Sequence, residues 1–218
     1  MADLAPSTAF REPADLVFAI CHEVGNLVGV IRLNADLIDA KASERELATL
    51  SVEIDDSSAR IRSLLALVRP LLSIGSEIGA GVSPAALLRG VSECLAEYGG
   101  RGVTVDVEEG DALPDVRGRP ETLHHLLVTL ACYAVEEARP HGHVSVRART
   151  ESDGRVALCV EDDGGSDESL GARQRGTLTG RALACAAADL LLDRLGGDVS
   201  VSRRDGMTAV ALSLPLRE

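Results

Sequence analysis

A chain of 218 residues with 45% apolar content is long enough for one or two domains and too apolar to stay disordered. Its 34 acidic and 22 basic side chains give a formal charge of −12, which repels phosphate backbones and anionic lipid and argues against nucleic-acid and membrane-surface roles. Aromatics make up only 2% and Trp is absent, so base-stacking platforms are excluded as well.

Residues 1–12 read as a loose tail without a basic-then-apolar export signal. No apolar run is expected to reach the ~18 residues of a membrane span, so the expected location is cytoplasmic. The five cysteines, Cys21, Cys94, Cys132, Cys159 and Cys185, never form CxxC and read as buried, reduced thiols.

From Pro13 the pattern is helical. Leu16, Ile20, Val24, Leu27, Ile31 and Ile38 recur on one helical face, and the helix is expected to run to about residue 42. Ser43 and Glu46 form a capping box for a second helix. Leu47, Leu50, Ile54, Ile61, Leu64, Leu65 and Val68 carry its apolar face to about Ser73, with a bend expected near Pro70. Residues 13–75 therefore predict an antiparallel helical hairpin. One apolar face of a lone hairpin needs cover. A second copy would supply it as a dimeric four-helix bundle, and the rest of the same chain is the alternative.

Gly75, Gly79 and Gly81 read as a linker. Beyond it the predicted order is a helix from Ser83-Pro84 to about Tyr98, a strand around Val103, Val105 and Val107, and a helix from Pro120 through Ala138. Two alternating strands follow around Asp153-Gly154, then an apolar helix over 178–195, then a hairpin around Asp205-Gly206. Five strands and three helices predict an α+β fold, a two-layer sandwich over 82–218.

One histidine sits inside the first helix. At 100° per residue His22 lies about 200° from Ile20 and about 140° from Leu27, so it points away from the apolar face. Phe18, Gly25, Asn26 and Gly29 fall around it, and two glycines leave a bare surface that another backbone can approach. Imidazole is a nucleophile at neutral pH when its second nitrogen is steered by a partner. Glu23 can take that proton, and Asn26 can orient a water or a phosphoryl oxygen. The set suits phosphoryl transfer through a phosphohistidine, against the plainer reading of a surface histidine with an incidental neighbour.

HEVGN at 22–26 resembles the histidine box of bacterial sensor histidine kinases. The resemblance implies that His22 carries the phosphoryl group, that Glu23 is its general acid/base, and that Asn26 stands at the position linked to phosphatase activity. The proline usual after the box is Leu27 here, implying a straighter helix.

Residues 82–218 are similar to the ATP-binding domain of the same kinases, the GHKL fold, through LPDVRGRPETLHHLLVTLACYAVEEA, VALCVEDDGG, GTLTGRALACAAADLLLDRLGG and GMTAVALSLPL. The expected asparagines, one of them a Mg²⁺ ligand, align with Thr129 and Tyr133. Asp162 stands at the adenine-reading position and Gly164 in its turn, where Ser166 replaces a glycine. Gly176 and Gly180 persist in the later turn, but Leu178 replaces a glycine between them. The lid between Gly165 and Gly176, which carries Arg173 and Arg175, is short. These departures imply a vestigial nucleotide site with no cofactor or metal bound. For Asp162 the plain alternative is a carboxylate capping a turn. For Arg173 and Arg175 it is a solvated loop. His124, His125, His141 and His143 lack metal-ligand spacing and read as ordinary residues.

A helical hairpin followed by a degenerate ATPase-like domain resembles the ChpT-type histidine phosphotransferases. That resemblance implies a homodimer relaying phosphate between response-regulator receiver domains or a hybrid kinase. The receiver would supply Mg²⁺. Two alternatives stay open: a sensorless histidine kinase with a divergent ATP site, and a dimeric pseudokinase binding module without phosphate chemistry.

Overall fold

The computed structural model describes residues 12–40, 43–72, 81–96, 102–108, 113–164 and 180–217. Helix α1 (Pro13–Asp39) starts on a proline, whose missing N–H costs nothing in a first turn, after an extended Glu12. It stops earlier than the pattern suggested, with the Ala40 N–H donating to the Asp36 carbonyl at 3.1 Å. Helix α2 (Glu44–Leu72) begins at Ser43, whose backbone N–H and hydroxyl both donate to Glu46, at 2.7 and 2.5 Å. Those two donors hold the Glu46 carboxyl below the usual carboxylate range.

The two helices form the expected hairpin, and its two halves differ. Leu16, Ile20, Leu27, Leu64, Leu67 and Leu71 are buried in one core continuous with the second domain. At the other end Val30, Leu33, Leu37 and Val52 are exposed, and Leu33 keeps 60% of its surface. The stripe is thus covered by its own chain near the domain, and beyond it Val30, Leu33 and Leu37 lie exposed on the face beside Ile31 and Ile38, which are half-buried. Within the upper half a polar pair crosses the hairpin: Asn34, buried on the apolar stripe of α1, donates to Glu53 of α2 at 2.9 Å. A buried amide with one acceptor favours a single register between two helices.

Two expectations need correction. Helix α1 is long and apolar enough to cross a membrane by length and composition, and only 17% of its most apolar window is buried. The helix holds no unbroken apolar run, because Glu23, Asn26 and Arg32 interrupt it. Cys21 and Cys94 are exposed rather than buried, whereas Cys132 and Cys159 are buried and Cys185 lies between. Cys21 sits beyond the edge of the α1 stripe, and composition alone says nothing about which helical face a thiol occupies.

The second domain opens with Val82, which bridges Val116, itself bridged to Leu216, so linker and C-terminus are tied together. Helix α3 spans Pro84–Ala96, and its expected end at Tyr98 lies outside the described residues. Strand β1 (Thr104–Glu108), helix α4 (Pro120–Glu137), strands β2 (His143–Thr150) and β3 (Val156–Asp162), helix α5 (Gly180–Asp193) and strands β4 (Asp198–Arg204) and β5 (Met207–Leu214) follow. The sheet order is β1-β2-β3-β5-β4. Only β1 and β2 pair in parallel, joined through α4; the other pairs are antiparallel. Asp205 and Gly206 both take positive φ, 52° and 82°, the geometry of a two-residue hairpin turn matching strand twist. Helices α3, α4 and α5 cover one sheet face, giving the two-layer α+β fold.

Candidate functional site

On α1, His22 and Asn26 are exposed and Glu23 is half-buried. Phe18, one turn before His22, keeps 75% of its surface. Nothing lies within 4 Å of where a Cβ would stand on Gly25 or Gly29, so the ground around the ring is open. Asn26 links the set. Its side-chain amide lies 3.4 Å from His22 Nδ1 and donates to Glu23 Oε2 at 3.3 Å. The carboxylate fixes which end of the amide faces it, and the same nitrogen then stands beside the ring. Helical geometry explains why Glu23 is not there itself: it projects about 100° from His22, towards the side of Leu16, Ile20 and Leu27.

The second set lies behind β3. Asp162 is 0% exposed. Its Oδ1 accepts the Gly164 N–H at 3.0 Å, and its Oδ2 lies 2.7 Å from Arg181 Nη1. Arg181, 2% exposed, also pairs with Glu137 at the end of α4, at 3.3 Å. Burial pushes the Asp162 carboxyl above the usual carboxylate range, and the Arg181 charge only partly opposes this. Gly164 is small for a reason of packing. A Cβ there would stand 1.7 Å from the Glu137 carbonyl oxygen, so the turn is pressed onto the end of α4. Thr208 closes the turn from β5, donating to the Gly164 carbonyl at 3.2 Å.

Thr129 and Tyr133 face the hairpin. The Thr129 hydroxyl is buried and donates to the His125 carbonyl at 2.7 Å, with the Ser63 carbonyl of α2 at 3.4 Å. Tyr133 is 5% exposed, and its hydroxyl has no hydrogen-bond partner among the described residues. Gly180 opens α5 with φ 56° and stands next to the Tyr133 ring. Ser166, Arg173, Arg175, Gly176 and Leu178 lie outside the described residues.

Residues 118–218 match the family model described as histidine kinase-, DNA gyrase B- and HSP90-like ATPase. They carry the GHKL ATPase fold. Solved histidine kinases share the architecture. Acinetobacter baumannii histidine kinase AdeS matches with TM-score 0.58 at 15% identity, over 90% of this chain and 98% of that one. Full-length ShkA, solved with AMPPNP, matches with TM-score 0.55 at 20% identity, over 94% of this chain, which spans 47% of ShkA's length. The catalytic domain of histidine kinase ThkA matches with TM-score 0.51 at 16% identity, over 63% of this chain and 96% of that one. No curated protein matches the chain.

Arg181 and Glu137 of the GHKL domain were not among the residues the sequence singled out. A signal for Arg181 was present. It shares the apolar stripe of α5 with Ala184, Ala188, Leu191 and Leu192, and a charge on such a stripe requires a buried partner. No group of three or more metal-ligating side chains occurs among the described residues. His143 pairs instead with Asp106 of β1 at 2.8 Å. Burial, then the neighbouring His124, pulls the His125 pKa down.

Proposed function

We propose that this chain is a cytoplasmic, homodimeric histidine phosphotransferase of a two-component phosphorelay, working without ATP. The observation that carries the reading is the Asp162–Arg181–Glu137 cluster. An adenine-reading carboxylate must offer an open lone pair to the base. Asp162 is fully buried, with one oxygen on a backbone N–H and the other against a guanidinium. Nor does Tyr133 fit Mg²⁺. The ion needs oxygen ligands at short range in octahedral order, and a buried phenol whose pKa is raised by burial and by the charges of Glu136 and Glu23 stays neutral. These residues do not fit Mg²⁺–ATP.

His22 suits the transfer. Its ring is exposed on open ground, where a receiver domain can bring an aspartyl phosphate to it. The P–O bond to the receiver aspartate breaks, a P–N bond to the imidazole forms, and the aspartate leaves as carboxylate. Glu23 takes the proton from the second ring nitrogen through a water, since Asn26 and not Glu23 stands beside the ring. Transfer to the next receiver reverses these changes. Asn26, beside the ring, orients a phosphoryl oxygen or a water. The uncovered upper half of the hairpin supports the dimer: Val30, Leu33 and Leu37 form an apolar row that a second copy would cover.

The fold match to kinase catalytic domains favours a second reading, a sensorless kinase. One experiment separates the two. The purified protein is incubated with Mg²⁺ and γ-labelled ATP, and in parallel with receiver domains phosphorylated by acetyl phosphate. Acid-labile label on His22 from a receiver and none from ATP is the expected result. Label from ATP overturns the phosphotransferase reading. Label from neither source leaves the binding module.

A further inference from the structure

Arg181 occupies a position that is costly for a cation. It is the second residue of α5, in the first turn, where the helix dipole disfavours positive charge, and that turn carries no acidic side chain of its own. It is 2% exposed and shares its stripe with apolar residues, so the charge is also desolvated. The offset comes from two other elements: Asp162 at the end of β3 and Glu137 at the end of α4. The offset is one of charge alone. Nη1 stands 2.7 Å from Asp162 Oδ2 and Nη2 3.3 Å from Glu137 Oε2, yet none of these four buried atoms has a hydrogen-bond partner. Asp162 itself is fixed from behind. Its Oδ1 is engaged by the Gly164 N–H, and Thr208 holds the Gly164 carbonyl. Oδ2 is thus a rigid, buried acceptor whose lone pairs are not used, and the guanidinium fills the space in front of it without aligning to it. By the resemblance drawn from the sequence, that acceptor stands where adenine is read. A guanidinium and a 6-aminopurine present the same feature there: an NH₂ group on a planar, conjugated carbon beside a ring or chain nitrogen.

We propose that Arg181 is an internal occupant of the nucleobase position: its guanidinium stands against Asp162 Oδ2 where the exocyclic amine of an adenine would stand, and it excludes the base. The site is closed by one side chain of the chain itself, and a 6-aminopurine is the class of ligand that takes the place when that side chain is removed. This rests on the reading of the chain as working without ATP, and it names the residue that enforces it.

The test uses the full chain and reads its melting temperature with adenosine and with inosine, which carries an oxygen in place of the amine. Wild type is expected to respond to neither. Arg181→Ala opens the space beside Asp162, and adenosine is expected to raise the melting temperature of this variant by about 3 °C at roughly ten times its Kd. Inosine, whose oxygen would face the carboxylate, is expected to bind it about tenfold more weakly or worse, the effect of losing one hydrogen bond to a charged group. Adding Asp162→Leu, which removes the acceptor, is expected to abolish the adenosine response. Arg181→Ala leaves two carboxylates without their cation, so Arg181→Ala/Glu137→Gln, with one of them neutralised, carries the same test if the single variant does not fold. If neither folds alone, recovery of the folded state in excess adenosine is the readout. Failure of adenosine to stabilise or recover these variants, equal stabilisation by inosine, a response that survives Asp162→Leu, or adenosine binding to wild type overturns the proposal. These readouts are independent of label on His22: wild-type protein that takes no phosphate from a receiver overturns the phosphotransfer reading and leaves the assignment of Arg181 in place.

Discussion

The His22 cluster on α1 and the Asp162 cluster behind β3 are built from similar groups: one carboxylate or two, one basic side chain, and a glycine nearby. They stand in opposite environments. His22 and Asn26 meet solvent on open helix, and their contacts are long, at 3.3–3.4 Å. Asp162 and Arg181 are sealed, and their ion pair closes at 2.7 Å. An exposed imidazole can turn, be approached and exchange a group. A sealed ion pair can only hold. Similarity of residue type therefore says little about role until burial is known, and here burial leaves the His22 set open to a partner and seals the Asp162 set.

The sharpest way to test this contrast is on the two basic side chains. His22→Ala is expected to abolish phosphate acceptance while chemical unfolding shifts by less than about 0.5 kcal/mol, as for an exposed side chain. A large loss of stability would show that His22 is part of the packing. Arg181→Met is expected to do the reverse. It strands Asp162 as a buried, unpaired carboxylate beside the half-buried Glu137, a defect of about 3–5 kcal/mol in urea denaturation. Asp162→Asn should cost less, because Arg181 keeps Glu137. Equal costs would show that the cluster is not one buried network.

The hairpin halves offer a comparable pair. Leu67→Ala, in the fully buried half, is expected to cost about 2–5 kcal/mol. Leu33→Glu, in the exposed half, is expected to leave the monomer's fold intact and weaken self-association in sedimentation velocity. A stable monomer in both wild type and Leu33→Glu would show that the upper hairpin needs no second copy.

Acidity gives a smaller effect with a definite sign. The folded Asp162 carboxyl titrates above its unfolded value, so the native state binds its proton more tightly. The stabilisation from that proton is present at low pH and is lost as pH rises from about 4 through the raised pKa. The stability of wild type minus that of Asp162→Asn, measured across this range, should therefore fall with rising pH. A rising difference would mean that the Arg181 charge outweighs burial. Smallest of all, Asn26→Ala should leave acceptance by His22 intact and change mainly how fast the phosphohistidine is lost to water.

Much of the fold was legible before any coordinates. Period-3.6 stripes located α1, α2 and α5, the Ser43–Glu46 pair marked the start of α2, and Asp205-Gly206 set its hairpin because only that dipeptide type accepts two positive φ values cheaply. His22 could be placed on the exposed face because helical geometry depends on local spacing alone. Local spacing has no access to what a second element brings. It set Glu23 beside His22, yet Asn26 occupies that place, since Glu23 projects about 100° around the helix towards the buried stripe and Asn26 bridges the two. It left open whether Asp162 caps a turn or reads a base, because the answer lies in Arg181, which is distant in sequence and arrives on another helix. Tyr133 was placed at an expected magnesium-ligand position, and the structure buries it with its ring beside Gly180 of α5. The sequence by itself determined which residues share a face. The tertiary structure alone decided which of those faces meet, and hence which charges are neutralised and which groups remain open to a partner, because burial and pairing are properties of two surfaces in contact.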